Sequence, residues 1–317
     1  MLRAFFILLS KARWAQRLIT GWSFSWKLAS RFVAGNVRAD ALRVVRELNG
    51  HGFRVTLDPL GENTTSEAEA NRATEEILLL LRDIESEGLV SGVSIKLSQI
   101  GLNISEDLGR RNLERVLAAA RDCNNFIRID MEDFSMVDKT LSALRWAQAQ
   151  GYENVGIVIQ SYLYRSEADV RALLDEGFRI RMVKGAYREP ASVAMPKKAD
   201  VDANFDHLTT LMLTHTRNSP ELQSGGRVPP ITALGTHDLR RIVFAQGLAQ
   251  RLGLVKHAFE IQMLYGIRRD LQHQLHADGY PVRIYVPYGS AWYPYLMRRL
   301  AERPANVWFI LSNFFRK

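Results

Sequence analysis

The sequence predicts an α/β protein whose eight strands close into a single (β/α)8 TIM barrel. Three observations lead there. Eight short, β-prone apolar runs recur along the chain, each is followed by a stretch with helical periodicity, and no linker divides the series into halves. Strand–helix–strand units join parallel strands by right-handed crossovers, and eight of them can close a ring. An open doubly wound sheet is the competing arrangement, but the G-x-G-x-x-G that would follow its first strand is missing.

Taken in order, ADALRVVRELNGHG (39–52) reads as a helix stopped at glycine. FRVTLDPLGEN (53–63) is the first strand run and breaks into a turn; Ser66–Gly88, with ILLLL inside it, is the helix that follows. GVSIKLSQIG (92–101) is the second strand, with a helix over 106–122. NFIRIDMED (125–133) and NVGIVIQSYL (154–163) are the third and fourth, separated by a helix near 136–150. EADVRALLDEG leads as a helix into FRIRMVKGAY (178–187), the fifth. PPITALGTHD (229–238), HAFEIQMLYG (257–266) and PVRIYVPYG (281–289) complete the set. Two stretches, 188–203 and 219–228, show no regular pattern and read as insertions. The expected division is a basic, aromatic-rich helical arm over 1–50, the barrel over 51–310 and a tail over 311–317.

Composition narrows the function classes. The chain of 317 residues is 47% hydrophobic and 24% charged, as a chain with a sizeable core should be. Its single cysteine, Cys123, excludes an internal disulfide and a thiolate cluster and fits a reducing compartment. No H-E-x-x-H or G-x-S-x-G occurs, so neither a metal site nor serine hydrolysis is expected. The net charge of +8 comes without a nucleic-acid-binding motif, and no nucleic-acid partner is expected. Residues 1–39 hold Arg3, Lys11, Arg13, Arg17, Lys27, Arg31 and Arg38, no acid, and Trp14, Trp22 and Trp26. Two readings stand for this arm: helices packed on the main domain, or a helix lying on a membrane surface. The tail NVWFILSNFFRK repeats the aromatic and basic theme.

Chemistry in a barrel gathers at the C-terminal ends of the strands, and here those ends are polar. Lys96, Asp130 and Gln160 come from strands two, three and four, and Arg181, Lys184 and Tyr187 from the fifth. His237 comes from the sixth, and Glu260 and Gln262 from the seventh. One buried polar group is usually a satisfied structural one; six strands contributing them imply a shared pocket, since isolated interior charges are costly. The segment RIYVPYGSAWYPYLMRRLAE (283–302) runs from the last strand into a helix on which Tyr295, Arg298, Arg299 and Glu302 share a face. That face is either solvated, with an Arg298–Glu302 contact, or it looks into the mouth, where paired guanidiniums would grip a carboxylate or phosphate.

SIKLS, RIDME, IVIQSYL, RMVKGAY, ALGTHD, FEIQMLYG, RIYVPYG and WYPYLMRRLAE occur in an order that resembles the FAD-dependent proline dehydrogenases, the single-function bacterial type. The resemblance spans residues 40–310 and implies a distorted barrel whose last helix lies over the mouth. It implies that Arg298 and Arg299 hold a proline carboxylate and that Tyr285 and Tyr295 line the substrate ring, with Tyr187 beside it. Lys96 and Asp130 would form the floor, Glu302 is the acid one turn beyond the arginines, and Glu62 would pair with Arg298 to close the site. For FAD it implies Arg181, Val183, Lys184, Gly185 and Ala186 along strand five and Gln160 at the ring. Thr236 and His237 would meet the phosphate or ribose region, and Glu260 and Gln262 the distal part. Arg188 stands where many fused members have tryptophan, which should alter the wall near the adenosine half.

The implied reaction is oxidation of L-proline to 1-pyrroline-5-carboxylate, with electrons passed to a quinone. The protein would be cytoplasmic, with peripheral contact to the inner face of the membrane. Competing expectations are flavin-dependent oxidation of another small cyclic or N-alkyl amino acid, a barrel enzyme for a phosphorylated substrate, and a non-enzymatic membrane-surface protein.

Overall fold

The computed structural model describes Trp26, residues 29–61, 64–219 and 225–302, with residues 298–302 described by their helical backbone alone. Helix α1 (Arg38–Gly50) precedes eight strand–helix units. These are β1 (Arg54–Pro59) with α2 (Glu67–Ser86), β2 (Ser91–Ile95) with α3 (Glu106–Asp122), and β3 (Ile127–Ile129) with α4 (Val137–Ala149). Next come β4 (Val155–Gln160) with α5 (Ser166–Asp175), β5 (Arg179–Val183) with α6 (Lys198–Asn218), and β6 (Thr232–Gly235) with α7 (Leu239–Arg251). The last are β7 (Phe259–Leu264) with α8 (Arg269–Ala277) and β8 (Val282–Tyr288) with α9 (Trp292–Glu302). The strands are parallel and form a closed ring, β1 pairing with β8 from Arg54 opposite Arg283 to Pro59 opposite Tyr288. The α/β barrel expected from the sequence is the fold.

Most barrel helices are placed by ordinary means. Ser66 and Ser105 cap α2 and α3 by accepting the N–H groups of Glu69 and Leu108. Their apolar stripes, Ile77, Leu81 and Ile84 on α2 and Leu113, Val116 and Leu117 on α3, are fully buried against the strands. Alternate strand residues turn inward, and the interior they fill is unusually cationic, with Arg54, Arg128, Arg181 and Arg283 supplied by β1, β3, β5 and β8.

Two departures from the regular plan position the site. Helix α1 packs on β1 and β8, filling the groove on the outer wall where the helix after β8 would otherwise lie. Helix α9 is therefore displaced. Its Trp292, Tyr293, Tyr295, Leu296 and Met297 are buried in a cluster of their own with Trp26, Ala29, Phe32, Val33 and Leu60, the last lying just past the C-terminal end of β1. Trp26 and Trp292 meet edge to face at 5.8 Å. Residues 26 and 29–33 of the arm thus pack on the main domain; residues 1–25, 27 and 28, and the tail, lie outside the described residues.

The segment 29–35 is fastened to the barrel rim by its main chain. Ala34 N–H donates to the Pro287 carbonyl and Gly289 N–H to the Gly35 carbonyl, both at 2.9 Å. Gly266, in the turn after β7, has φ +74° and lies so close under the Arg31 carbonyl that a Cβ would overlap it. Gly266→Ala should therefore combine left-handed strain with a backbone clash, lift the strap and unseat α9. The expected outcome is a severalfold higher KM for the substrate with the barrel still folded by circular dichroism; an unchanged KM would show that the strap does not hold α9.

Of the two stretches read as insertions, residues 198–203 are the start of α6, and residues 220–224 lie outside the described residues. Residues 190–195 double back over the end of β4, with Tyr164 N–H on the Val193 carbonyl and Met195 N–H on that of Tyr162. Residues 225–228 form a small turn that closes the N-terminal end of the barrel. There the Arg227 guanidinium donates to the carbonyls of Ile84, Leu89 and Cys123 and pairs with Glu85.

Candidate active site

The C-terminal mouth gathers polar groups from β1, β2, β3, β5, β7 and β8. Asp130, just past β3, is the hub. One carboxylate oxygen accepts from Arg181 Nη1 at 2.9 Å, and the other accepts from the Tyr285 hydroxyl at 2.6 Å. Lys96 Nζ lies 3.8 Å from the same Asp130 Oδ2 and donates to Asp58 Oδ1 at 3.1 Å. Arg181 is held from further sides: Nη2 donates to Ser94 Oγ at 3.2 Å and Nε to Gln262 Oε1, while the guanidinium carbon stands 5.2 Å from the centre of the Tyr285 ring. Lys96, Asp130, Arg181 and Gln262 are buried. The desolvation cost of these charges is offset only because each is paired and hydrogen-bonded. Burial, then the neighbouring charges of Asp130 and Asp58, holds the Tyr285 phenol well above its ordinary pKa. It therefore keeps its proton and acts as a donor.

A second group runs from β4 to β6. Val183, Lys184, Gly185, Ala186 and Tyr187 are all half-buried, in contrast to the buried middle of β5. This strip is set in register by Ser161 N–H on the Val183 carbonyl at 2.8 Å and Tyr162 N–H on that of Lys184 at 3.0 Å. Gly185, at φ +112°, crosses the Tyr162 ring where a Cβ has no room. The Lys184 ammonium turns to Asp202 Oδ1 at 2.5 Å and Asp238 Oδ2 at 2.7 Å, so the side chain anchors the strip to α6 and to the start of α7. Burial pushes both carboxyls up; Lys184, joined at Asp202 by Lys198, outweighs it and leaves each below the usual value. Gln160 Nε2 donates to the Glu132 carbonyl at 2.9 Å. The Thr236 hydroxyl accepts from Asp238 N–H at 3.1 Å. His237 Nε2 accepts the Leu264 N–H at 2.9 Å, which places the ring proton on Nδ1.

The expected residues divide by where the structure puts them. Lys96, Asp130, Arg181, Gln262 and Tyr285 form one bonded cluster, and Gln160, Val183–Tyr187, Thr236 and His237 lie on neighbouring strand ends. Tyr295 is buried on α9, whose backbone puts residues 298, 299 and 302 on the same helical face; Glu62 lies outside the described residues. Glu260 is not at the mouth. It is fully buried one layer lower, bonded to Arg283 at 2.7 and 3.1 Å, to Arg54 at 3.2 Å and to Gln262 Nε2 at 2.6 Å. The expectation that Glu260 lines a cofactor is corrected to a supporting place beneath Gln262.

Sequence reasoning missed Asp58, Ser94 and Glu132. Glu132 accepts from the Ser98 N–H at 2.9 Å and from its hydroxyl, tying the end of β3 to that of β2. The signal was present for Asp58 and Glu132, which are acids at or just past strand ends like those that were chosen.

The family model for proline dehydrogenase matches residues 41–311. The chain belongs to that family. It is 40% identical over 318 residues to Proline dehydrogenase 1 of Bacillus subtilis, covering 100% of both chains. It is 44% identical over 295 residues to Proline dehydrogenase of Deinococcus radiodurans, covering 92% of this chain and 91% of that one. Among solved structures it is similar to proline utilization A (PutA) from Bdellovibrio bacteriovorus inactivated by N-propargylglycine. The TM-score is 0.77 at 25% identity, over 87% of this chain and 32% of that one. The chain thus spans about a third of that longer protein and the whole of its Bacillus relative.

Proposed function

We propose that this chain oxidises L-proline to 1-pyrroline-5-carboxylate with FAD as the electron acceptor. Arg181 carries the reading: a buried guanidinium fixed by Asp130, Ser94 and Gln262 beside the half-buried strip Val183–Tyr187. Such a preorganised cation suits a ring that gains negative charge on reduction, because it needs no reorientation when the charge appears. The donor set fits FAD. Gln160 offers an amide, the strip offers backbone and small side chains for a flat group, and Thr236 and His237 stand further along. Lys184 contributes through its main chain, since its ammonium is bound to two aspartates. When bound, FAD supplies the two-electron acceptor for the hydride leaving proline C5.

The chain's own residues bind and orient the substrate. Arg298 and Arg299 grip the carboxylate, with Glu302 one turn beyond and Glu62 closing over Arg298. Tyr187, Tyr285 and Tyr295 wall the ring, and Lys96 supports Asp130 at the floor. Asp130 already accepts on both oxygens, so it positions Arg181 and Tyr285, and the amine proton leaves to solvent. Holding the reacting atoms at about 3–3.5 Å then supplies much of the rate. The PutA relative inactivated by N-propargylglycine supports a substrate that is a secondary amine with a carboxylate, as proline is.

Purified protein should show a flavin spectrum that bleaches when L-proline is added without oxygen. A flavin spectrum unmoved by proline would overturn the substrate, and absence of flavin after soaking with FAD would overturn the reading as a whole. Electrons pass on to a quinone at the inner face of the membrane. The basic, tryptophan-bearing composition of residues 1–25 supports that step. A chain lacking those residues keeps the α9 contacts and should no longer sediment with anionic liposomes; equal sedimentation of both chains would remove the membrane from the proposal.

A further inference from the structure

Below the active site the barrel holds a small cavity with room for a single atom-sized guest, walled on its apolar side by Val93, Phe126 and Pro229. Four guanidiniums line it, those of Arg128, Arg181, Arg227 and Arg283, together with Thr56 and Gln262. Three of the four have a carboxylate: Arg181 has Asp130, Arg227 has Glu85 and Arg283 has Glu260. Arg128 has none among the described residues. It is 2% exposed, and its Nη1 donates to the Ile157 carbonyl at 3.0 Å and to that of Arg179. Its Nε and Nη2 meet no acceptor among the described residues.

The fold has made room for this cation. Gly156 stands opposite Arg128 on β4, and a Cβ there would collide with Arg128 Nη1, while the Phe126 ring covers the guanidinium carbon at 5.0 Å. Burial, and then the like charge of Arg181, oppose its ionisation; Glu260 favours it but is already bound to Arg283 and Arg54, and Arg179 and Arg283 oppose it further. Arginine nonetheless keeps its proton in proteins. A water molecule would satisfy the two N–H groups but give the guanidinium no counter-charge in contact; a small anion would do both.

We propose that the floor of the barrel binds one buried monovalent anion of halide size, held by Arg128 Nε and Nη2 within the ring of guanidiniums. Arg227, whose side chain is 16% exposed, is the lining cation nearest to solvent and gives the ion its way in. The site lies beneath the one proposed for FAD and proline, and Arg181 and Gln262 border both.

Crystals of the full chain grown in sodium bromide would test this directly. The expected result is an anomalous difference peak within hydrogen-bonding reach of Arg128 Nε and Nη2. A water in that cavity, with bromide only at exposed arginines, would overturn the proposal. In solution, bromide replacing gluconate at fixed ionic strength should raise the unfolding midpoint of the wild type by several degrees relative to Arg128→Met. An equal response of both chains would also overturn it. Should Arg128→Met fail to fold, the diffraction experiment on the wild type decides alone.

Discussion

Arg181→Met is expected to lower kcat/KM for proline by about 10²–10³, with most of the loss in kcat. The methionine keeps the length and apolar stem of the side chain, so FAD should still bind. What disappears is a fixed positive charge that three strands hold in place through Asp130, Ser94 and Gln262. Steady-state kinetics, read beside the flavin content of each preparation, would check it. A variant with normal kcat and only a raised KM would show that Arg181 binds substrate and does not stabilise the reacting charge. Tyr285→Phe removes one hydrogen bond to Asp130 and leaves the hub with Arg181 and Lys96, so its loss should be far smaller.

The largest effect on stability is expected from Glu260→Ala. This carboxylate is sealed among Arg283, Arg54 and Gln262, and Arg283 is itself 1% exposed. Removing it leaves a buried guanidinium without its counter-charge, a change that costs about 3–5 kcal/mol. Urea unfolding at pH 7 measures it, and a loss under ~1 kcal/mol would show that solvent or another group reaches Arg283. The pH dependence has a definite sign. Burial pushes the Glu260 carboxyl up, and Arg283, helped by Arg54 and Gln262, outweighs it and holds the group below its ordinary value of 4.5. The unfolded chain therefore binds more protons in that range, and stability rises with pH there. The contribution is complete above pH 4.5 and is lost as pH falls through the lower native value. The gap between wild type and variant should therefore narrow in acid.

Much of this was legible because strand runs and strand ends announce themselves. IKLS, RIDME and RMVKGAY each pair an apolar core with a polar finish, and those finishes do converge. What was harder to read is depth. Glu260 and Gln262 face the same way, but two residues put them about 6.6 Å apart along the strand. One therefore reaches the mouth cluster through Arg181 and the other sits in the floor. Arg128, in the middle of β3, and Arg283, early in β8, likewise sit below the strand ends where a sequence reading looks for a site. Helix α1 shows another limit. Its periodicity marks an apolar face without saying what that face meets, so its place in the groove beside β8 could not be read from residues 39–52. The displacement of α9 had a visible trace in the sequence, the Arg298–Arg299 face; its cause did not.

Closure of the ring has a consequence for how the chain is made. Strand β1 is among the first parts of the barrel to be synthesised, and its partner on one side is β8, the last strand. The contact between Arg283 and the Val55 carbonyl spans 228 residues. Arg227 reaches back to Ile84 in the same way, and the rim strap 29–35 rests on a turn and a strand made near the end. At ordinary translation rates β1 waits a few tens of seconds with one edge bare. Unpaired edges recruit other strands, and long-range pairings form slowly. The half-made barrel is therefore the stage at which this chain depends most on being shielded from its neighbours.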